Sequence, residues 1–234
     1  MSLEGLEVVR NARARSLKLS LDPTTGRARL VLPRRAALKP ALAWAHGKAD
    51  WLADQRARLP QPRPFAPGAV LPVADEPLTL VWTPGPRRTI RREGATLTAQ
   101  GPAETLARRV ELWLRRAALE LLSRETAEFA TLAGVSVAQV AVGDACGRWG
   151  SCASSGVIRY SWRLILAPGF VRRATVAHEV AHRVHMNHGP QFHALTAELF
   201  GADPAPARDW LRRHGAGLHW YGRDGGLSAK GEQR

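Results

Sequence analysis

His178, Glu179 and His182 stand in the arrangement H-E-x-x-H. Residues four apart on a helix project from one face, so the two imidazoles can reach a single cation. Glu179 is rotated away from both, which sets its carboxylate beside the cation's open position as a base and not as a ligand. The chemistry this predicts is hydrolysis with one catalytic zinc ion (Zn2+). Zinc lowers the pKa of its bound water to about 7, and Glu179 takes the proton as hydroxide attacks a carbonyl. The motif falls within an otherwise apolar helical run (Val171, Ala174, Ala177, Val180, Ala181, Val184), where polar groups are costly unless paired.

A catalytic zinc normally keeps three protein ligands and one open position. His185, His188 and His193 are the nearby imidazoles, with the Glu198 carboxylate as an outside alternative. His185 shares the face of the pair but lies about 10 Å of helix rise from His178, so it could join only with strain. His188 lies six residues beyond His182 and can bind only if the helix breaks first. The segment Met186-Asn187-His188-Gly189-Pro190 supplies that break, because Asn and Gly accept left-handed backbone angles and Pro restarts a helix. His188 is therefore the preferred third ligand.

Several elements must position this site. Residues 16–22 and 27–32 alternate apolar with polar around a Pro-Thr-Thr-Gly turn and predict a hairpin. A helical pattern covers 36–59, with Trp44 and Trp51 expected as core contacts. Six prolines between 60 and 77 predict an extended linker or irregular crossover. Strands are expected at 78–82, 87–91 and 95–99, then a long amphipathic helix at 103–133, whose apolar residues recur at three- and four-residue steps and which Gly134 stops. A strand at 137–142, a turn-rich segment at 143–156 and a strand at 157–165 precede the H-E-x-x-H helix, which starts near Pro168. A further helix covers 190–200 and stops at Gly201. The expectation is an α+β protein in two parts. Residues 1–77 hold the hairpin, helix and Pro-rich linker. Residues 78–234 form a core with antiparallel β-segments and the H-E-x-x-H helix, with one continuous domain over both parts as the alternative.

Bulk properties narrow the setting. The two cysteines, Cys146 and Cys152, make neither a disulfide framework nor a zinc ribbon, and small buried thiols are expected. No apolar stretch approaches the roughly 20 residues of a membrane span, and the start Met1-Ser2-Leu3-Glu4 has no signal segment, so a cytoplasmic location is expected. The net charge of +14 is densest at the beginning, where residues 1–60 carry 12 basic and 5 acidic groups. Such an excess favours polyanions at long range, which makes nucleic acid a candidate partner without proving contact.

Arg148-Trp149-Gly150-Ser151-Cys152, the stretch from Ile158-Arg159 to Pro168, His178-Glu179 to His182, and Asn187-His188 to Phe192 together resemble the YgjP-like metallopeptidases, relatives of the SprT and WLM zinc proteases. The resemblance is specific over about 140–195 and extends in outline to the basic hairpin, the tryptophan-bearing helix and the long helix. It implies a zincin-like, gluzincin-type fold, zinc on His178, His182 and His188, Glu179 as catalytic base, and a peptide or protein substrate. The chain departs from the family pattern at Gly189, where serine is common, at Ser161, where asparagine is common, and by the extra thiol of Cys146. None of these departures removes a ligand. Arg148, Trp149, Ser151 and Cys152 are the expected substrate-seating residues, on a sheet edge that would pair with an extended peptide. Tyr160, Tyr221 and Arg148 are the groups considered for stabilising the oxyanion. Two other readings keep the metal: a nucleic-acid-associated zinc protein, acting on DNA-bound proteins or holding zinc only structurally, and a zinc hydrolase of phosphate or nucleotide esters. The latter lacks a Gly-rich phosphate loop in this sequence.

Overall fold

A computed structural model of the chain describes residues 5–224. Met1–Glu4, read above for an export signal, and residues 225–234, the end of the expected core, lie outside the described residues. The chain divides into two compact units, one built on residues up to Gln61 and one spanning Pro62–Asp224.

In the first unit, strands β1 (Glu7–Asn11), β2 (Lys18–Leu21) and β3 (Ala28–Pro33) form a sheet in the order β1-β3-β2. The alternation of β3 buries Ala28, Leu30 and Leu32, and the last two pack with Ala41 and Ala45 of helix α1 (Leu38–His46). The turn before β3 closes on Asp22, whose carboxylate accepts from the Thr24 amide and hydroxyl, while Gly26 takes a φ of +71°. Two expectations are corrected here. The single helix over 36–59 is two, α1 and α2 (Ala49–Ala57), separated at Gly47 and Lys48. Gly47 ends α1 by donating its N–H to the Ala43 and Ala45 carbonyls. Trp44 and Trp51 are not core residues, being 39% and 40% exposed, because alanines fill the buried face of α1 and Leu52 that of α2.

The second unit holds two sheets and four helices. Strands β4 (Val70–Val73), β5 (Glu76–Thr83), β6 (Thr89–Glu93) and β7 (Thr96–Gln100) pair in the order β4-β5-β7-β6. Strands β8 (Gln139–Gly143), β9 (Gly150–Cys152) and β10 (Val157–Ser161) pair in the order β8-β10-β9. Residues 62–77, read as linker, belong to this unit and include β4, whose Leu71 and Val73 are buried. Among the described residues the expected antiparallel pairing holds for four of the seven strand pairs. β1 with β3, β5 with β7 and β8 with β10 all run parallel, because hairpins join side by side and period-two alternation carries no strand direction.

Helix α3 (Leu106–Leu132) lays Leu106, Val110, Leu114, Ala118, Leu122 and Phe129 into the core at steps of four and seven residues. Each buried leucine is worth about 1.5–3 kcal/mol against exposure. The strand expected over 157–165 is instead β10 followed by a 3₁₀ helix, Trp162–Leu166, started where the Ser161 hydroxyl accepts from the Arg163 amide. The H-E-x-x-H helix is α4 (Gly169–Ala181), followed by α5 (Pro190–Phe200) and α6 (Ala205–Leu218). No described helix is long and apolar enough to cross a membrane.

Candidate metal centre

The fold fixes α4 first at its N-terminal end. No side chain of the helix itself caps that end. The cap comes from the turn between β4 and β5, where Ala74 and Asp75 take left-handed φ values of 52° and 71°. There Asp75 accepts a 2.6 Å hydrogen bond from the Gly169 amide, 94 residues away. A Cβ at Gly169 would collide with the Asp75 carboxylate, so any other residue there would have to displace the cap. One turn on, Arg172 donates to Glu125 of α3 at 3.0 Å and lies 3.4 Å from Asp75. Arg172 and Glu125 are each 5% exposed.

At the other end, α4 presents His178 and Glu179, and His182 is its C-cap. The chain then tightens, Arg183 and Val184 donating to the carbonyls three residues back, and Gly189 leads into Pro190 at the start of α5. This return brings His188 back over the helix it has left. Among the described residues, His178, His182 and His188 form a group in which one ring nitrogen from each lies within 4.8 Å of the others. Nε2 of His188 is 3.3 Å from Nε2 of His178. His185, His193 and Glu198 are not in that group. His185 contributes its backbone instead, since its carbonyl lies 3.1 Å from Nδ1 of His182. A carbonyl can only accept, so the proton belongs on Nδ1 and the Nε2 lone pair is left free for a cation.

Phe192 of α5 is the floor of the cluster. Its ring centroid lies 4.9, 4.5 and 4.7 Å from those of His178, His182 and His188, and the residue is 1% exposed. Burial, then the neighbouring imidazoles, pushes His178 down to about 4, and burial also lowers His182. Both rings are therefore neutral at pH 7, the form that binds metal. Burial pushes the Glu179 carboxyl up to about 7, against the opposing charge of Arg148. This is a value suited to a base working near neutral pH.

Strand β9 runs against Glu179. A side chain on Gly150 would overlap the Glu179 carboxylate, so backbone and base meet with nothing between them. The strand pairs with β10 through Gly150, Ser151 and Cys152 and lies at the edge of its sheet. Arg148, Trp149, Ser151 and Cys152 all line a cavity of about 440 Å³. Trp149 also lines a second cavity, of about 240 Å³, with His178 and Glu179. Its indole packs 5.3 Å from the His219 ring and tightly against Gly215 of α6. Cys146 is exposed and Cys152 half-buried, which corrects the expectation of two buried thiols. Of the groups considered for an oxyanion, Tyr160 is buried with its hydroxyl 3.0 Å from the Thr126 hydroxyl, and the Tyr221 hydroxyl accepts from Arg63. Arg148 is the cation whose charge opposes the upward shift of Glu179.

Sequence reasoning did not single out Phe192, Asp75 or Arg208, the last of which lines the smaller cavity. For Phe192 a signal existed, since it lies four residues after His188 at the start of a predicted helix. The cap from Asp75 had no local signal.

The sequence matches the family model described as YgjP-like, metallopeptidase domain, over residues 15–214. No curated protein and no solved structure matches the chain.

Proposed function

Because the chain belongs to the YgjP-like metallopeptidase family, and so to the metal-dependent peptidases, we propose that His178, His182 and His188 hold a catalytic zinc and that Glu179 is the general base. The observation that carries this reading is the convergence of three imidazole nitrogens beside a buried carboxylate. The donor set fits zinc. Two nitrogens bound tetrahedrally at about 2.1 Å stand roughly 3.4 Å apart, and Nε2 of His178 and His188 are 3.3 Å apart. Three histidines leave a fourth position open, the composition of a catalytic site. When bound, the ion supplies Lewis acidity, which polarises a peptide carbonyl and brings the pKa of water to about 7.

The chain's own groups do the rest. Glu179, whose carboxyl burial raises to about 7, accepts a proton from the attacking water in its ionised form and delivers it to the leaving amine. Phe192 excludes water beneath the imidazoles and limits their rotation. The free edge of β9 accepts an extended peptide as an added strand, with Arg148, Trp149, Ser151 and Cys152 flanking it. The edge strand, the H-E-x-x-H helix and the returning third imidazole support the reading of a zincin-like, gluzincin-type core.

Replacing Glu179 by Gln should leave one zinc per chain and slow peptide hydrolysis by about 100- to 10,000-fold. Replacing His188 by Ala should release the metal, read by elemental analysis of the purified protein. Full turnover in the Glu179→Gln protein, or full zinc occupancy in the His188→Ala protein, would refute the assignment.

A further inference from the structure

We infer that Arg208 is a specificity residue that receives a carboxylate of the substrate beside the histidine cluster. The inference rests on the peptidase reading for where the substrate lies. The cavity of about 240 Å³ has His178 and Glu179 in its lining, and α6 carries Arg208 into the same lining. Much of the remaining wall is apolar, from Trp149, Ala174, Pro204 and Leu211. Two threonines also line it, but each hydroxyl hydrogen is committed to a carbonyl of its own helix, Thr175 to Val171 at 2.9 Å and Thr196 to Phe192 at 2.8 Å. Among the described residues lining this cavity, Arg208 is the one lysine or arginine.

The Arg208 guanidinium has no carboxylate partner among the described residues. Its helix neighbours differ: Arg212 pairs with Asp209 at 3.1 Å, and Arg213 donates to the Asp209 carbonyl at 3.3 Å. Arg208 instead shares the lining of this cavity with His178. A permanent cation beside a site suited to a dication is repelled by it until an anion joins them. A carboxylate answers that need, because its two oxygens match the planar fork of the guanidinium. Apolar walls with one cation suit a residue that ends in a carboxylate beyond a hydrocarbon stem, or a chain-terminal residue with an apolar side chain. Both sources present the same chemistry.

Short N-acetylated peptides in matched pairs separate them: Glu against Gln at positions flanking the cleaved bond, and free against amidated C-termini. Wild type should favour the carboxylate member of one pair by roughly ten- to a hundredfold in kcat/KM, and the pair that shows the preference identifies the source. In Arg208→Gln, with metal content and circular dichroism matching wild type, that ratio should fall toward one, and Arg208→Lys should keep an intermediate ratio. Absence of a preference in wild type, or a Gln variant slowed equally on both members, overturns the inference. Calorimetric binding of the same peptides to the Glu179→Gln protein reads the preference without turnover. If no peptide is cleaved but binding prefers the carboxylate through Arg208, the peptidase reading fails and the inference stands. If peptides are cleaved with no such preference, the inference fails and the peptidase reading stands.

Discussion

The two ends of α4 are held in opposite ways. At the N-terminal end the partners are charged: Asp75 caps Gly169, Arg172 lies between Glu125 and Asp75, and Arg173 bonds to Glu128. At the C-terminal end three imidazoles gather on an aromatic ring, and burial keeps two of them uncharged. Carboxylates suit the positive pole of a helix, and paired charges tolerate burial where single ones do not. Anchoring is thus assigned to paired charges, and the site end gathers neutral imidazoles beside the single buried carboxylate of Glu179. Four substitutions test this division, in descending order of expected effect.

Arg172→Met strands the Glu125 carboxylate, which burial already pushes up, and should destabilise the fold by about 3–5 kcal/mol. Adding Glu125→Leu should recover most of the loss, as read from urea-unfolding midpoints. A single variant within about 1 kcal/mol of wild type would show that charge does not anchor this end. Phe192→Leu removes the ring beneath the imidazoles and should weaken metal affinity by about 10- to 100-fold, measured by competition with a chelator; unchanged affinity would make the aromatic floor mere packing. Asp75→Ala removes the helix cap and should cost about 1 kcal/mol, checked by thermal melts of the metal-free protein. Glu128→Gln, on the surface, should change stability by less than about 1 kcal/mol. Hydrogen bonds from Arg173 hold the Glu128 carboxyl below the usual carboxylate range. Its contribution is therefore present above that range and lost as pH falls through the lowered value. Acid-unfolding curves of wild type and the Gln variant should converge at low pH and separate above the ordinary carboxylate pKa; curves that stay parallel throughout would remove the pair from the comparison.

What the sequence made legible was what depends on local period and punctuation. The spacing of His178 and His182, the restart at Pro190 and the apolar stripe of α3 are read within one or two helical turns, and each appears as an element of the expected type. Local punctuation also misleads when it is weak: Gly47 breaks the first helical pattern with right-handed angles, so no left-handed signal marks the stop. The exposed faces of Trp44 and Trp51 depend on what packs against α1 and α2, and hydrophobicity alone does not say which large side chain is left outside. Strand direction and the approach of β9 to Glu179 are set by partners far along the chain. Of the site, the motif was visible, and Phe192 lay within a legible segment without its role, while Arg208 and the cap from Asp75 required the tertiary structure.

The 94-residue span between Asp75 and Gly169 also bears on the order of folding. Closing so long a loop costs entropy that only a largely formed structure can offset, so this contact belongs to the late side of the folding barrier. Interactions made after the barrier slow escape from the native state more than they speed arrival. Asp75→Ala should therefore accelerate unfolding and leave the refolding rate nearly unchanged, in stopped-flow chevron plots. On that expectation the small turn between β4 and β5 acts as a latch on the lifetime of the helix that carries the histidines.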